Sequence, residues 1–302
     1  MTTIVCFDIG GSAIKGALAT SPEAIRPLGR VPTPLDDFSA FAEALRGVAD
    51  AADAAAPISI SITGVVDPRT GRIKCANIPC IDGRTLAKDL AAIMDRPVHV
   101  ANDADCFALA EAMAGAGKGE SIVFGAILGT GVGGGLVVDS RLVNGAGGFA
   151  GEWGHGPVAA THAGTPPVAI PSYPCGCGQI GCVDTVGGAR GMERLHLHLH
   201  GESLPSTAIV AAWEAGDASA ARTIDCFLDL VAGPLALVVN VVGADIVPVG
   251  GGLSGSRRLI AELDTAVRRR ILRQTDAPLV VPGLCTVEPG LIGAAILAGA
   301  AA

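Results

Sequence analysis

Ile58-Ser59-Ile60-Ser61-Ile62-Thr63 alternates apolar and polar residues without a break and stops at Gly64. Side chains on a strand point to opposite faces in turn, so this pattern predicts a strand that delivers a loop. Phe38, Phe41, Leu45 and Val48 recur at helical spacing instead, predicting an amphipathic helix over 38–55. A short helix over 85–94 and a strand over 97–101 follow, and Asn102-Asp103 then opens a helix through Phe107, Leu109, Ala110 and Met113. Further on, the pattern gives a loop-rich insertion over 144–188, helices from about Ala189 to Asn240, a buried strand over 246–249 and a final helix over 291–300. The most apolar stretch, 228–249, is interrupted by Pro234, Asn240, Asp245 and Pro248. It reads as a buried helix followed by a buried strand, too broken to span a membrane.

Two glycine-rich turns sit between β-like runs and keep a common register. Val5-Cys6-Phe7-Asp8-Ile9-Gly10-Gly11 leads into Ser12-Ala13-Ile14-Lys15-Gly16-Ala17-Leu18, and a second apolar run follows near 28–31. In the second copy Ala126-Ile127-Leu128 leads through Gly129-Thr130-Gly131-Val132-Gly133-Gly134-Gly135 into Leu136-Val137-Val138. Shifting by 119 positions sets Gly10 on Gly129, Gly16 on Gly135 and Leu18 on Val137. A glycine turn bares backbone N–H groups that can cradle an anion, so a facing pair would grip a polyphosphate. Ordinary hairpins with convenient glycines are the competing account. Gly129 to Gly134 also fits the G-x-G-x-x-G dinucleotide fingerprint, with Glu152 downstream, but that fingerprint needs a helix after the turn. Strand chemistry follows here, so the dehydrogenase reading is rejected. Asp8, at a strand end beside a glycine loop, is placed to hold a water of Mg²⁺.

Length and charge narrow the class. At 302 residues the chain suits two domains, with a joint near Gly115–Glu120: a small α/β domain over 1–117 and a larger one over 118–290. The final helix, 291–302, is expected to return to the first domain. Only seven Phe, two Trp and one Tyr are present, so aliphatic residues must fill the core. A formal charge of −8 argues against nucleic acid as a partner. A strand begins within three residues and no basic-then-apolar leader precedes it, so a cytoplasmic setting is expected. Nine cysteines then imply reduced thiols.

Three of those thiols lie within Cys175-Gly176-Cys177-Gly178-Gln179-Ile180-Gly181-Cys182. Disulfide pairing would strand one, whereas tetrahedral zinc needs one more donor, and His155 after Glu152-Trp153-Gly154 is the natural one. Four protein ligands leave no open position, so such a zinc would be structural. The remaining six cysteines are read as core. Asn102-Asp103 has two readings of equal weight. Either residue is a good helix cap, and together they could orient a sugar hydroxyl and accept its proton. His196, His198 and His200 alternate, but on helix-like sequence, so they are read as surface or interface residues rather than a metal site. Gly250-Gly251-Gly252 is either a plain turn or a backbone surface for a flat ring such as adenine.

These motifs, in this order, resemble the ROK family of sugar kinases and sugar-responsive repressors. The resemblance runs from Asp8-Ile9-Gly10-Gly11 to Gly290-Leu291-Ile292-Gly293, and its most specific piece is Gly151-Glu152-Trp153-Gly154-His155 with the cysteine cluster. Asn102-Asp103-Ala104-Asp105, the second glycine hairpin and the long His155–Cys175 gap look most like the bacterial N-acetylglucosamine kinase branch. The resemblance implies a two-domain α/β actin-like ATPase fold, ribonuclease H-like, with a duplicated core and a small zinc insertion over 155–182. It implies phosphorylation of a hexose 6-hydroxyl by ATP with Mg²⁺, N-acetylglucosamine leading and glucose or N-acetylmannosamine as alternatives. A sugar-sensing regulator is the alternative of another class. A homodimer, and no membrane partner, are also implied.

By the same resemblance Asp103 is the general base. Asp8, Gly10, Gly11, Lys15, Thr130 and Gly131 flank the phosphates and Mg²⁺, and Gly251 and Gly252 lie against the adenosine. Gly64, Asn77, Asn102, Glu152, His155 and Asp184 line the hexose, with His155 shared between zinc and sugar. Two places depart from the family: the loop after Gly64 reads Val65-Val66-Asp67, where the family more often places a proline before its glycine, and Asp184 stands where Glu is usual. A side chain shorter by one methylene cannot make the same hydrogen bond without backbone movement or a bridging water.

Overall fold

The first strand, β1 (Ile4–Ile9), turns back on itself through Gly10-Gly11-Ser12 into β2 (Ala13–Ser21), pairing Asp8 with Lys15 and Ile9 with Ile14. A computed structural model describes residues 3–53, 55–143 and 148–300, with the side chain of residue 300 left aside. β3 (Ala24–Pro32) extends the hairpin antiparallel to β2. Helix α1 (Phe38–Ala49) is capped by the Asp37 carboxylate, which accepts the Ser39 N–H at 2.8 Å. It buries Phe41, Leu45 and Val48, so the helical spacing holds as far as these anchors. The helix stops at Ala49 rather than at residue 55, because no apolar side chain larger than alanine follows Val48 to anchor another turn.

The alternating segment is β4 (Ile58–Ile62), buried along its whole length, parallel to β1 and to β7 (Val98–Asn102). Between them lie β5 (Val65–Val66), β6 (Ile73–Lys74) and α2 (Leu86–Met94). The sheet order is β3-β2-β1-β4-β7. β7 runs directly into α3 (Asp103–Ala114), whose cap is the Asn102 side chain.

The second glycine hairpin joins β8 (Ile122–Leu128) to β9 (Val132–Val138), and β10 (Arg141–Leu142) pairs with β9. A strand thus follows Gly129–Gly131, as the rejection of a dinucleotide fold requires. Small elements follow: β11 (His162–Ala163), β12 (Val168–Ala169) and α4 (Asp184–Gly187). The expected start of the loop-rich insertion, Asn144, lies outside the described residues. Helices α5 (Ala189–His200), α6 (Ser206–Glu214) and α7 (Ala218–Val242) lead to β13 (Val247–Gly250), α8 (Arg257–Arg268), β14 (Val280–Pro282) and α9 (Pro289–Ala300). The second sheet has the order β10-β9-β8-β13-β14, matching the first strand for strand. In each, the strand before the glycine turn has its hairpin partner on one side and a parallel strand on the other. The shared register of the two glycine turns therefore reflects a duplicated topology.

One reading is corrected. Pro234 does not interrupt the apolar stretch but lies inside α7, flanked by buried Leu230, Val231, Leu235, Ala236 and Val239. Proline inside a helix costs about 3 kcal/mol, and burial of these five side chains outweighs it. By length and composition α7 could cross a membrane, yet half of its most apolar window is buried within the protein.

The chain resolves into two compact units. Unit 1 comprises Met1–Ser121, Gly135–Gly151 and Cys285–Ala302, and unit 2 comprises Ile122–Gly134 and Glu152–Leu284. In unit 1, Leu291, Ala294, Ala295 and Ala298 of α9 join Ile4, Cys6, Ala17 and Ala19 of the hairpin in one apolar cluster. A Cβ on Gly293 would collide with the Cys106 carbonyl on α3, so only glycine permits that helix contact. Cys6, Cys75, Cys106 and Cys226 are buried, as core residues should be, while Cys80 and Cys285 are half-buried.

Candidate active site

Unit 1 gathers its chemistry at the ends of β1, β4 and β7. The Asp8 carboxylate accepts a hydrogen bond from the Ser61 hydroxyl at 3.1 Å and lies 3.7 Å from the Lys15 ammonium. Burial raises its pKa above the usual carboxylate value, with Lys15 and Ser61 opposing and Glu288 adding to the rise. A desolvated carboxylate of this kind gains from a cation, which fits a magnesium-water ligand. Lys15 is itself engaged, donating to both Glu288 oxygens at 2.8 and 3.1 Å. Glu288 precedes α9 in a left-handed conformation, φ +48°. Gly10 receives the Thr33 hydroxyl at 2.6 Å, and a Cβ on Gly11 would lie 3.3 Å from the Asn77 carbonyl. The first glycine turn therefore touches the Asn77 segment.

At the β7–α3 junction, Asn102 uses both ends of its amide. Its oxygen accepts the Ala104 N–H at 2.8 Å, and its nitrogen donates to the Gly64 carbonyl at 2.9 Å. Asp103 Oδ1 also accepts from Ala104, at 2.9 Å. Gly64 has φ +124°, and a Cβ there would lie 2.8 Å from the Lys74 carbonyl. Asn77 donates to the Thr63 hydroxyl at 3.4 Å. Gly64, Asn77, Asn102 and Asp103 are thus tied to the carboxyl ends of two adjacent parallel strands.

Unit 2 contains the second glycine turn, closed by a 3.1 Å bond from Gly129 N–H to the Gly131 carbonyl. Gly251, φ +86°, packs against it: a Cβ there would lie 2.5 Å from the Leu128 carbonyl. Beside Gly252 a cavity of about 710 Å³ is lined by Thr207, Val210, Leu253, Arg257 and Arg258. The Arg258 guanidinium stacks 4.2 Å over Trp213.

The donor atoms of His155, Cys175, Cys177 and Cys182 all lie within 4.8 Å of one another. His155 Nδ1 faces the Cys175 sulfur at 3.6 Å, and its Nε2 faces Glu152 at 3.6 Å. Burial raises the Cys175 thiol, while Gln179 backbone hydrogen bonding chiefly lowers Cys177, to about 7. Three sulfurs and one imidazole in this proximity fit tetrahedral zinc. Burial raises the Glu152 carboxyl, His155 opposes the rise and Asp184 adds to it.

Asp184 makes an unexpected bond. Its Oδ1 accepts the Val132 N–H at 2.8 Å, and its Oδ2 lies 3.9 Å from the Cys175 sulfur. The short carboxylate thus ties the glycine turn to the cysteine segment. A Cβ on Gly131 would run into Asp184 Oδ1. Gly131→Ala is expected to destabilise the protein by about 1–3 kcal/mol, as overpacking does. Most of that loss should vanish in an Asp184→Ala background. Denaturant unfolding of the four proteins tests this, and an equal cost in both backgrounds removes Asp184 as its cause.

Ser61, Thr33 and Glu288 escaped the sequence reading. Ser61 had a faint signal, as one of the two polar residues of the alternating strand, in register with Asp8. Glu288 had none, since it lies 273 residues from Lys15. The three histidines are helical as read, but His196 is buried rather than on the surface.

A family model described as the ROK family matches residues 4–301. The N-acetyl-D-glucosamine kinase of Salmonella newport (strain SL254) is 35% identical over 96% of this chain and 97% of its own. The N-acetylgalactosamine kinase of Shewanella sp. (strain ANA-3) is 36% identical over 96% of this chain and 95% of its own. A ROK family glucokinase from Streptomyces griseus, solved with glucose and AMPPNP, superposes with a TM-score of 0.74 at 25% identity, covering 98% of each chain.

Proposed function

Because this chain belongs to the ROK family and is an ATP-dependent sugar kinase, we propose that it phosphorylates the 6-hydroxyl of an N-acetylhexosamine, N-acetyl-D-glucosamine first. The observation that carries the reading is the Asn102–Asp103 junction. Asn102 is pinned at both ends of its amide, and Asp103 is oriented by the Ala104 N–H at the start of α3.

Asp103 takes the hydroxyl proton as the sugar oxygen bonds to the γ-phosphorus. The bond from that phosphorus to the β–γ bridging oxygen breaks, and ADP departs. Gly64, Asn77, Asn102, Glu152 and His155 are the sugar-binding residues in this reading. Gly10, Gly11, Lys15, Thr130 and Gly131 are the phosphate-holding residues in this reading. Gly251 and Gly252 border the adenosine, with the cavity beside Arg258 taking the base. Mg²⁺, held through Asp8, neutralises phosphate charge when bound. His155, Cys175, Cys177 and Cys182 hold a structural zinc, and His155 Nε2 and Glu152 stay available to the sugar.

Substrate choice turns on Asp184. One of its oxygens is committed to Val132, so less of it reaches a sugar hydroxyl than Glu would supply. An ADP-release assay over N-acetylglucosamine, N-acetylgalactosamine, N-acetylmannosamine, glucose, mannose and fructose tests the reading. The expected order puts N-acetylglucosamine first, and Asp184→Glu should change the ranking. Turnover of none of the six rejects the proposal, and an unchanged ranking removes Asp184 from substrate choice.

A further inference from the structure

Two carboxylates compete for the Lys15 ammonium, and Glu288 has the larger share. Both Glu288 oxygens accept from it, at 2.8 and 3.1 Å, whereas Asp8 Oδ2 lies 3.7 Å away. The Glu288 hydrogen bond is the main cause of a raised Lys15 pKa, with burial opposing it and Asp8 adding less. Arg30, paired with Lys15 across β2 and β3, pushes the other way. An ammonium has three donors, and two are spent on Glu288. Asp8 is too distant to take the third in a normal hydrogen bond, so that donor is left for a phosphate oxygen.

Glu288 is not a loose surface partner. Its backbone carbonyl accepts the Leu291 and Ile292 N–H groups at 3.0 and 3.2 Å, which ties it to the first turn of α9. That turn is seated directly on Asp8. A Cβ on Gly290 would run into Asp8 Oδ1 and lie 2.8 Å from the Ser61 hydroxyl. Further along, Leu291, Ala294, Ala295 and Ala298 anchor the helix in the apolar cluster with β1 and β2. The Lys15 and Glu288 side chains are 38% and 40% exposed, and an ion pair so open to water adds little stability. Against that small gain stands φ +48°, a conformation that glycine takes freely and glutamate does not. Stability alone does not account for a glutamate here.

We propose that Glu288 is a positioning residue for phosphoryl transfer, holding the Lys15 ammonium off Asp8 with one donor turned to the phosphates. This rests on the reading of Lys15 as a phosphate-holding residue and of Asp8 as the magnesium-water ligand. Without the Glu288 charge, the desolvated Asp8 carboxylate draws the ammonium in. Lys15 is then spent on Asp8, and the phosphates lose a cation.

ATP affinity, measured calorimetrically in Mg²⁺-free buffer, tests this on wild type, Glu288→Gln, Lys15→Met and the double variant. Lys15→Met should weaken ATP binding about tenfold or more, as loss of a charged hydrogen bond does. Glu288→Gln should weaken it about three- to tenfold, and the double variant should bind no worse than Lys15→Met alone. A nearby negative charge with no positioning task predicts the reverse, because its removal tightens binding of an anion. Tighter or unchanged binding in Glu288→Gln overturns the proposal, and so do losses that simply add. If Lys15→Met binds ATP like wild type, the placement of Lys15 on the phosphates fails too, so the two readings fail distinguishably. Glu288→Gly gives a second check, since it removes the carboxylate and relaxes the backbone. It should melt no lower than wild type yet bind ATP as weakly as Glu288→Gln. A Tm that falls together with ATP affinity makes Glu288 structural and overturns the proposal.

Discussion

Replacing Asp103 by Asn is expected to lower sugar phosphorylation by about 10²–10⁴-fold while changing sugar affinity by less than about tenfold. The substitution is nearly isosteric, and an amide oxygen can still accept the Ala104 N–H that Asp103 Oδ1 accepts now. The helix start should therefore survive, with Asn102 still capping it. What the amide cannot do is take a proton from an attacking alcohol. Turnover measured by ADP release, and sugar affinity measured calorimetrically without nucleotide, separate the two effects. Near-normal turnover with unimpaired folding removes Asp103 as the base. A matched loss of sugar affinity assigns it to binding instead.

Cys182→Ser should be the most disruptive change to unit 2. Cys182 is fully buried, and its sulfur lies 3.6 Å from that of Cys177. If the four donors hold zinc, the variant gives up a metal whose binding free energy is folding free energy, about 10–16 kcal/mol in zinc-finger peptides. Even a third of that, at about 2–4 °C per kcal/mol for a domain of this size, lowers Tm by about 10 °C. Wild-type protein should contain about one zinc at this cluster, and Cys182→Ser about none. Unchanged metal content by elemental analysis would falsify the zinc assignment. The effect should extend to activity, because the same segment carries Asp184, whose carboxylate holds the Val132 N–H in the glycine turn.

The features legible in the sequence were those set by near neighbours. Alternation gave β4, helical spacing gave α1 as far as Val48, and an Asn before an Asp gave the start of α3. Glycine register announced two hairpins, and both sheets carry the same strand order. What escaped was set by partners far along the chain. Pro234 looked like an interruption because the side chains that outweigh it are buried by elements no local window contains. His196 looked like a surface residue because Thr223, which fixes it, lies on another helix. Asp184 was singled out through the family resemblance alone, and its bond to Val132 spans 52 positions and has no local signature.

The placement of α9 bears on how the protein is made. Its apolar residues complete a cluster begun by Ile4 and Cys6 on the first strand, and Lys15 finds its carboxylate partner 273 positions later. During synthesis the opening hairpin emerges long before those residues exist, and its inner side must wait without them. Contacts so distant along the chain are slow to form. The opening hairpin is therefore among the last parts to become fully native, and a chain arrested before residue 289 leaves the side of it formed by Ile4, Cys6, Ala17 and Ala19 uncovered.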